Sequence, residues 1–294
     1  MTQGIISIIM AFLTMLSSLV GVIMNRPEYE VPLQGFEEKA DDAIRIMSFN
    51  IRCTNVGKRD RKDRVADVVE TIEKGHPDSL GVQEATTEWM ADLDNELAEY
   101  AHVGVGRDDG VSAGEHSAIF YLKDKYTCVD HGDFWLSPTP DVVSKGWDAS
   151  HNRICTWAVL EDKETGNRYV HINAHFDNNG VIARSNSCDM ILEKAAEYTD
   201  LPVVFTADMN IEEGSVDYNH ITSGCLKDTK FASPDTMSYL TYHDTKPQKH
   251  EKDIIDFILI NDNFEALTYR VVTEDVSGEY VSDHFPIYAD IIFA

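Results

Sequence analysis

The chain switches between two hydrophobic periods. Ile44–Ile51 (IRIMSFNI) alternates apolar and polar positions and is rich in β-branched residues, which predicts a strand ending at Asn50. Val65, Val68, Val69 and Ile72 fall at i, i+3, i+4 and i+7, so Asp63–Lys74 is predicted as an amphipathic helix. Pro77-Asp78 ends it, and SLGVQE follows as a short buried strand closing on Glu84. Thr86–Tyr100 returns to the helical period. Strands are expected over Ser117–Leu122, Thr127–His131, Cys155–Glu161 and Tyr169–Ala174, with Gly166-Asn167 as the hairpin turn between the last two. Val181–Thr199 reads as a helix, and Pro202–Thr206 as a strand running into Ala207-Asp208-Met209-Asn210. A short helix over Glu212–Thr222 and a polar loop precede strands at Ile254–Ile260, Leu267–Thr273 and Phe285–Phe293. This mixture suits an α/β or α+β sandwich with its helices outside.

Ahead of this body lies Gly4–Met24, 21 residues without charge or proline. At ~1.5 Å rise per residue such a helix can cross a hydrocarbon core of ~30 Å. It fits either a cleaved signal peptide or a retained membrane anchor. The run is long for a signal peptide, nothing basic precedes it and no small-x-small cleavage site ends it, which favours the anchor. Arg26 on one side and the α-amino group on the other leave the orientation open. The chain thus divides into a hydrophobic segment over 1–25, an acidic tether over 26–43 and a domain over 44–294. The domain is expected to be membrane-anchored or exported.

Charge changes the picture next. Fifty-one acidic residues face 25 basic ones, a net of −26. A duplex-DNA track is excluded by that average field, and no basic stripe relieves it. An anionic substrate needs a local reversal of sign, as a bound metal ion provides. The five cysteines are scattered with no C-x-x-C pair, which excludes zinc-finger and redox-motif chemistry.

The polar residues that interrupt the apolar runs fall at strand ends: Asn50, Glu84, His175, Asp208 with Asn210, Asp256, and Asp283 with His284. Each has a structural reading. Asn50, Asp208 and Asn210 suit turns, and Glu84 suits a helix cap. Asp256, between Ile255 and Phe257, resists it, because a buried carboxylate costs several kcal/mol unless paired. As an ordered set, they are the donors that bind a hard cation and move a proton.

The order SFN, QE, NAHFD, ADMN, IDFILI, SDHFPI resembles the endonuclease/exonuclease/phosphatase superfamily over residues 44–294. VGVGRDDG, SAIFYLKD, FWLSPTPD and RICTW are similar to a bacterial branch near the carbon catabolite repression deadenylase-like group. The resemblance implies a DNase I-like, four-layer α/β/β/α sandwich and a phosphoesterase working by in-line water attack. It implies Mg²⁺, or Mn²⁺, on Asn50, Glu84 and Asp283. It further implies His175, Asp208, Asn210, Asp256 and His284 as catalytic groups, with Asp208 and Asn210 on the attacking side and Asp256 orienting His284. Two departures touch substrate contact: Asn178 and Ala174 stand where relatives often carry histidine and threonine.

Arg107 and Arg153 are expected to contact an anionic group, and Tyr121, Trp135 and Trp147 to offer an aromatic platform; ion-pair and core roles fit the same residues. Three substrate classes remain open: a small phosphate ester, an RNA 3′ end and a lipid head group. A catalytically silent binding module is the non-enzyme alternative.

Overall fold

The computed structural model describes residues 31–247, 253–275 and 278–294. The apolar segment Gly4–Met24, and with it the expected hydrophobic helix, lies outside the described residues. Among the described residues no helix is long and apolar enough to cross a membrane.

Among the described residues thirteen strands form two sheets. β1 (Ile44–Asn50), β2 (Ser79–Ala85), β3 (Tyr100–Val103), β4 (His116–Leu122), β10 (Asp235–Met237), β12 (Phe264–Val271) and β13 (Ile287–Phe293) make the first, in the order β10-β12-β13-β1-β2-β4-β3. β5 (Tyr126–Trp135), β6 (Ile154–Asp162), β7 (Arg168–His175), β8 (Val203–Asp208), β9 (Lys227–Asp228) and β11 (Asp256–Ile260) make the second, in the order β5-β6-β7-β8-β11-β9. Helices α1 (Arg61–Gly75) and α2 (Thr87–Glu96) cover the first sheet, and α3 (Val181–Ala196) and α4 (Val216–Thr222) cover the second; α5 (Thr229–Ala232) is a single turn beside β9.

Alternation along the strands builds the layers. In β1, Ile44 and Ile46 point between the sheets, where they meet Val204, Ile258 and Ile287. Met47 and Phe49 point outward onto Val68, Ile72, Trp89 and Leu93 of α1 and α2. Ile172, Val203 and Phe205 do the same against Cys188, Ile191, Tyr218 and Ile221. The result is four layers, helix, sheet, sheet, helix.

Two expectations shift. The helix expected to Tyr100 stops at Glu96, and Tyr100–Val103 pairs instead with β4 as an edge strand. The stretch read as an acidic tether is, from Pro32 on, laid against the first sheet. The amides of Thr273 and Glu274 each donate to the Gln34 carbonyl at 2.9 Å, and Glu37 donates its amide to Tyr288 at 3.1 Å.

Candidate active site

Topology brings the polar strand ends to one edge. β1 and β2 are parallel, so Asn50 and Glu84 leave the first sheet on the same side. β13 runs antiparallel to β1, so its preceding residues Asp283 and His284 arrive there from the other direction. In the second sheet β7 and β8 are parallel with His175 and Asp208 in register, and antiparallel β11 sets Asp256 opposite Asp208. Glu84 turns in at a break in the β2–β4 ladder, where it takes a left-handed φ of 62°. Asn210 sits in a left-handed turn after β8 with φ 49° and donates its side-chain amide to the Phe176 carbonyl at 3.1 Å.

The side chains interlock. Asn50 donates its amide to Glu84 at 3.1 Å and to Asp208 at 2.9 Å. Glu84 accepts the Cys53 amide at 2.9 Å, and Asp208 accepts the Asn210 amide at 3.0 Å. Asp256 Oδ2 lies 2.8 Å from His284 Nδ1, leaving His284 Nε2 3.7 Å from Asp208. His175 Nε2 faces the same Asp208 oxygen at 3.3 Å. Arg52 reaches Asp283 at 3.0 Å.

Burial sets the protonation states. Burial and the neighbouring Asp256 lift the Asp208 carboxyl to about 7, against the pull of His284. Burial works against the His284 imidazolium, but Asp256 and Asp208 overcome it and raise that group to about 10. His175 is driven the other way, by burial and by Arg153 and Arg107, and is held neutral. Burial would raise Glu84, yet the Cys53 amide and Asn50 keep it below its ordinary value. Burial raises Asp283, with Glu84 adding to the effect. The two imidazoles are therefore split into a cation and a neutral ring, the pattern of an acid–base site.

The donor set fits a hard divalent cation. Glu84, Asp208, Asp256 and Asp283 are each at most 8 % exposed and crowd one wall with Asn50. Like charges packed this closely are relieved by a cation that prefers oxygen donors. Donor atoms of Asp208, Asp256 and His284 lie within 4.8 Å of one another. Asp256 and His284 are bonded to each other, Asn50 Oδ1 accepts the Arg52 amide at 3.0 Å and Asp283 pairs with Arg52.

A cavity of about 470 Å³ is lined by Glu84 and Asp208 of this wall, with Asn50, Asp256 and Asp283 behind its lining. Arg107 and Arg153 line it, together with His175, Asp208, Asn210 and His284. Tyr121 and Trp135 do not. Tyr121 packs at the inter-sheet core, and Trp135 is buried, donating its indole N–H to the Arg107 carbonyl at 2.8 Å; it shapes the loop that carries Arg107. Trp147 is also absent from the lining. Arg52, Glu115, His151 and Tyr242 line the cavity without having been singled out as ligand contacts, and Asn178, a departure that touches substrate contact, lines it too. All five sit outside strand interiors, where no hydrophobic period announces them.

Two supports also escaped the sequence reading. Arg64, fully buried on α1, donates to the carbonyls of Ile51, Arg52, Thr54 and Val281 at 2.7 Å each, clamping the loops on either side of Asp283. Between the sheets, Asn173 donates to the carbonyls of Val82 at 3.0 Å and Ala118 at 2.9 Å. Its own oxygen accepts from Gln83 at 2.8 Å and Thr206 at 3.0 Å. Asn173 and Thr206 each precede a site residue by two positions on the same strand face, so this layer ties the two sheets together directly beneath the site.

The profile of the Endonuclease/Exonuclease/phosphatase family matches residues 47–284. A solved member from Bacteroides vulgatus is 36% identical, with a TM-score of 0.80 covering 86% of this chain and 99% of that one. The mannosyl-6-phosphatase of Bacteroides thetaiotaomicron is 33% identical, with a TM-score of 0.81 covering 85% of this chain and 100% of that one. The human Nocturnin catalytic domain shares the fold at 19% identity and a TM-score of 0.67, over 87% of this chain and 97% of that one. Enzymes of this family are generally dependent on divalent metals. With the profile spanning both sheets and the site between them, the chain belongs to the endonuclease/exonuclease/phosphatase family and is a hydrolase of phosphoester bonds.

Proposed function

We propose that this hydrolase is a Mg²⁺-dependent phosphomonoesterase acting on a small, polar phosphate ester of the sugar-phosphate kind. The carrying observation is the cavity. In a chain of net charge −26 it gathers Arg52, Arg107, Arg153 and the charged His284, among the carboxylates Glu84, Glu115 and Asp208, around about 470 Å³. That reverses the sign locally for an anion, and the volume is in the small-molecule range of ~300–1,000 Å³. The 33% identity to a mannosyl-6-phosphatase supports the same substrate class.

Asn50, Glu84 and Asp283 would hold the cation, which supplies charge neutralisation of the phosphoryl oxygens. Asp208 is the group that orients and deprotonates the attacking water, with Asn210 beside it. Burial and Asp256 raise its carboxyl from the ordinary value, which makes it a stronger base than a solvated carboxylate. His284, charged and fixed by Asp256, donates Nε2–H to a phosphoryl oxygen. His175 Nε2–H and the Arg153 guanidinium meet the remaining charge that grows in the transition state.

The test is a substrate panel with Mg²⁺, with EDTA, and with Mg²⁺ restored. It includes a hexose 6-phosphate, phenyl phosphate, bis-p-nitrophenyl phosphate, oligoadenylate and sphingomyelin. The monoesters should turn over at least ~10-fold faster in kcat/KM than the diesters, a margin of ~1.4 kcal/mol in transition-state stabilisation. Turnover should vanish with EDTA and return with Mg²⁺. Preference for oligoadenylate or sphingomyelin would replace this reading with an exoribonuclease or a lipid phosphodiesterase.

A further inference from the structure

The two ends of the sandwich differ in what they expose. At the end away from the site, the turns 123–125, 163–167 and 261–263 carry only Lys, Asp, Glu, Thr, Gly and Asn. At the end where the cavity opens, three connections present exposed apolar side chains. Val111 lies between β3 and β4, Val142, Val143 and Trp147 lie between β5 and β6, and Val181 and Ile182 begin α3. Val111 is 70% exposed and Val181 60%. Single apolar side chains on a surface mean little. These adjoin one another. A methyl group at Gly110, beside Val111, would meet Val143 at 3.9 Å. The Asp148 carboxylate, beside Trp147, accepts the amides of Ile182 at 3.2 Å and Ala183 at 2.8 Å. Asp109 likewise accepts the amides of Val111, Ser112 and Ala113, so both acids bond the loops' own backbone while the apolar side chains face out. Trp147 takes a left-handed φ of 40°, a costly conformation for a bulky residue and one that persists where a binding surface uses it.

The path of the chain indicates what covers this face. Val31 to Gln34 lies at the same end. The Gln34 amide donates to Thr273 Oγ1 at 2.9 Å, just past the close of β12, and the neighbouring Val272 amide donates to the Pro286 carbonyl at 2.8 Å, two residues after His284. Leu33 is exposed there. Only residues 25–30 separate Val31 from the uncharged run Gly4–Met24. Six residues span at most ~20 Å. A run held in a bilayer therefore keeps the cavity end of the sandwich near the lipid. Tryptophan and aliphatic side chains are the kind that a membrane interface accepts.

Resting on the anchor reading of Gly4–Met24, we propose that Val111, Trp147, Val181 and Ile182 dock this end of the domain onto a zwitterionic bilayer, with the cavity opening toward the lipid head groups. The docking goes beyond the phosphomonoesterase reading and does not depend on it. The net charge of −26 sets the lipid class, because an anionic leaflet repels the domain.

The experiment places the full chain in phosphatidylcholine vesicles and reads tryptophan emission with and without brominated acyl chains. Gly4–Met24 contains no tryptophan, Trp89 and Trp135 are buried, and Trp157 packs against Tyr198, so quenching reports how near the lipid Trp147 comes. Flotation reports attachment, and thermal midpoints report folding, which changes at exposed side chains should leave intact. Wild type should float and be quenched. Trp147→Phe should lose at least ~half of the quenching, and Val111→Ser/Val181→Ser/Ile182→Ser a comparable share, while both still float. Replacing about a third of the lipid by phosphatidylserine should weaken the quenching. A floating wild type without quenching, or quenching unchanged in either variant, overturns the proposal, as does stronger quenching with phosphatidylserine. A chain that does not float overturns the docking and the anchor together and leaves the phosphatase reading standing.

Discussion

Replacing Asn173 by leucine tests how the site is held between the sheets. Leucine is close to asparagine in shape and removes every polar contact of a fully buried side chain. The donors that face Asn173 keep other partners: Gln83 retains Ser48 at 3.1 Å and the Gly81 carbonyl at 3.3 Å, and Thr206 retains the Ile172 carbonyl at 3.4 Å. The loss therefore concentrates on the carbonyls of Val82 and Ala118, the last regular pair before the β2–β4 ladder breaks. A buried acceptor left unsatisfied costs ~1–3 kcal/mol, so the pair predicts a destabilisation of ~2–6 kcal/mol. In a domain of this size each kcal/mol lowers the thermal midpoint by ~2–4 °C. Glu84 lies two residues beyond Val82, so kcat/KM of the folded variant should also drop at least ~10-fold. Urea unfolding measures the first effect and Mg²⁺-dependent turnover well below the midpoint the second. Ser48→Ala, which removes a single acceptor, is the control and should cost ~1 kcal/mol or less. A wild-type-like midpoint for Asn173→Leu, or an equal cost for Ser48→Ala, would refute the reasoning.

Other changes probe separate parts. Gly81→Ala places a methyl group against Thr206 Oγ1 and Asn173 Oδ1 inside the same layer; the protein should lose ~3 kcal/mol or more in urea unfolding, or fail to fold. Asp256→Asn keeps an acceptor for His284 but removes its charge, so kcat should fall ~10²-fold or more while the thermal midpoint moves by only a few degrees. Asp78, fully buried, resists the upward push of burial because Lys39 and Lys125 hold its carboxyl below the ordinary value. Its stabilisation is present above the ordinary carboxylate range and is lost as pH falls through the lowered folded value. Asp78→Asn should thus be less stable at pH 7, and its gap from wild type in urea midpoint should narrow toward pH 3.

Much of this arrangement is legible in sequence because strand ends are. Asn50, Glu84, His175, Asp208 and Asp256 each close or open an apolar run, and a run of period two fixes where its terminal side chain points. The aromatics were less legible: hydrophobic pattern does not distinguish a ring that stacks on a ligand from one that fills a core, and Tyr121 and Trp135 do the latter. Arg52 and Glu115 lie in loops whose approach to the cavity depends on long-range pairing. Arg52 also needs a left-handed φ of 58° that no residue pattern signals. The short β9, α5 and β10 vanished into what read as a polar loop, because elements of 2 to 4 residues carry no period to detect. Arg64 looked like one more charge on an amphipathic helix, and only the fold shows it buried on four loop carbonyls.

The most direct test of a cation site at this edge of the first sheet is an anomalous difference map from a crystal soaked in Mn²⁺. The account predicts a peak on the Asn50–Glu84–Asp283 wall, with a Glu84 oxygen at ~2.0–2.3 Å. A peak held by Asp256 and His284 instead, or none at saturating Mn²⁺, would contradict it.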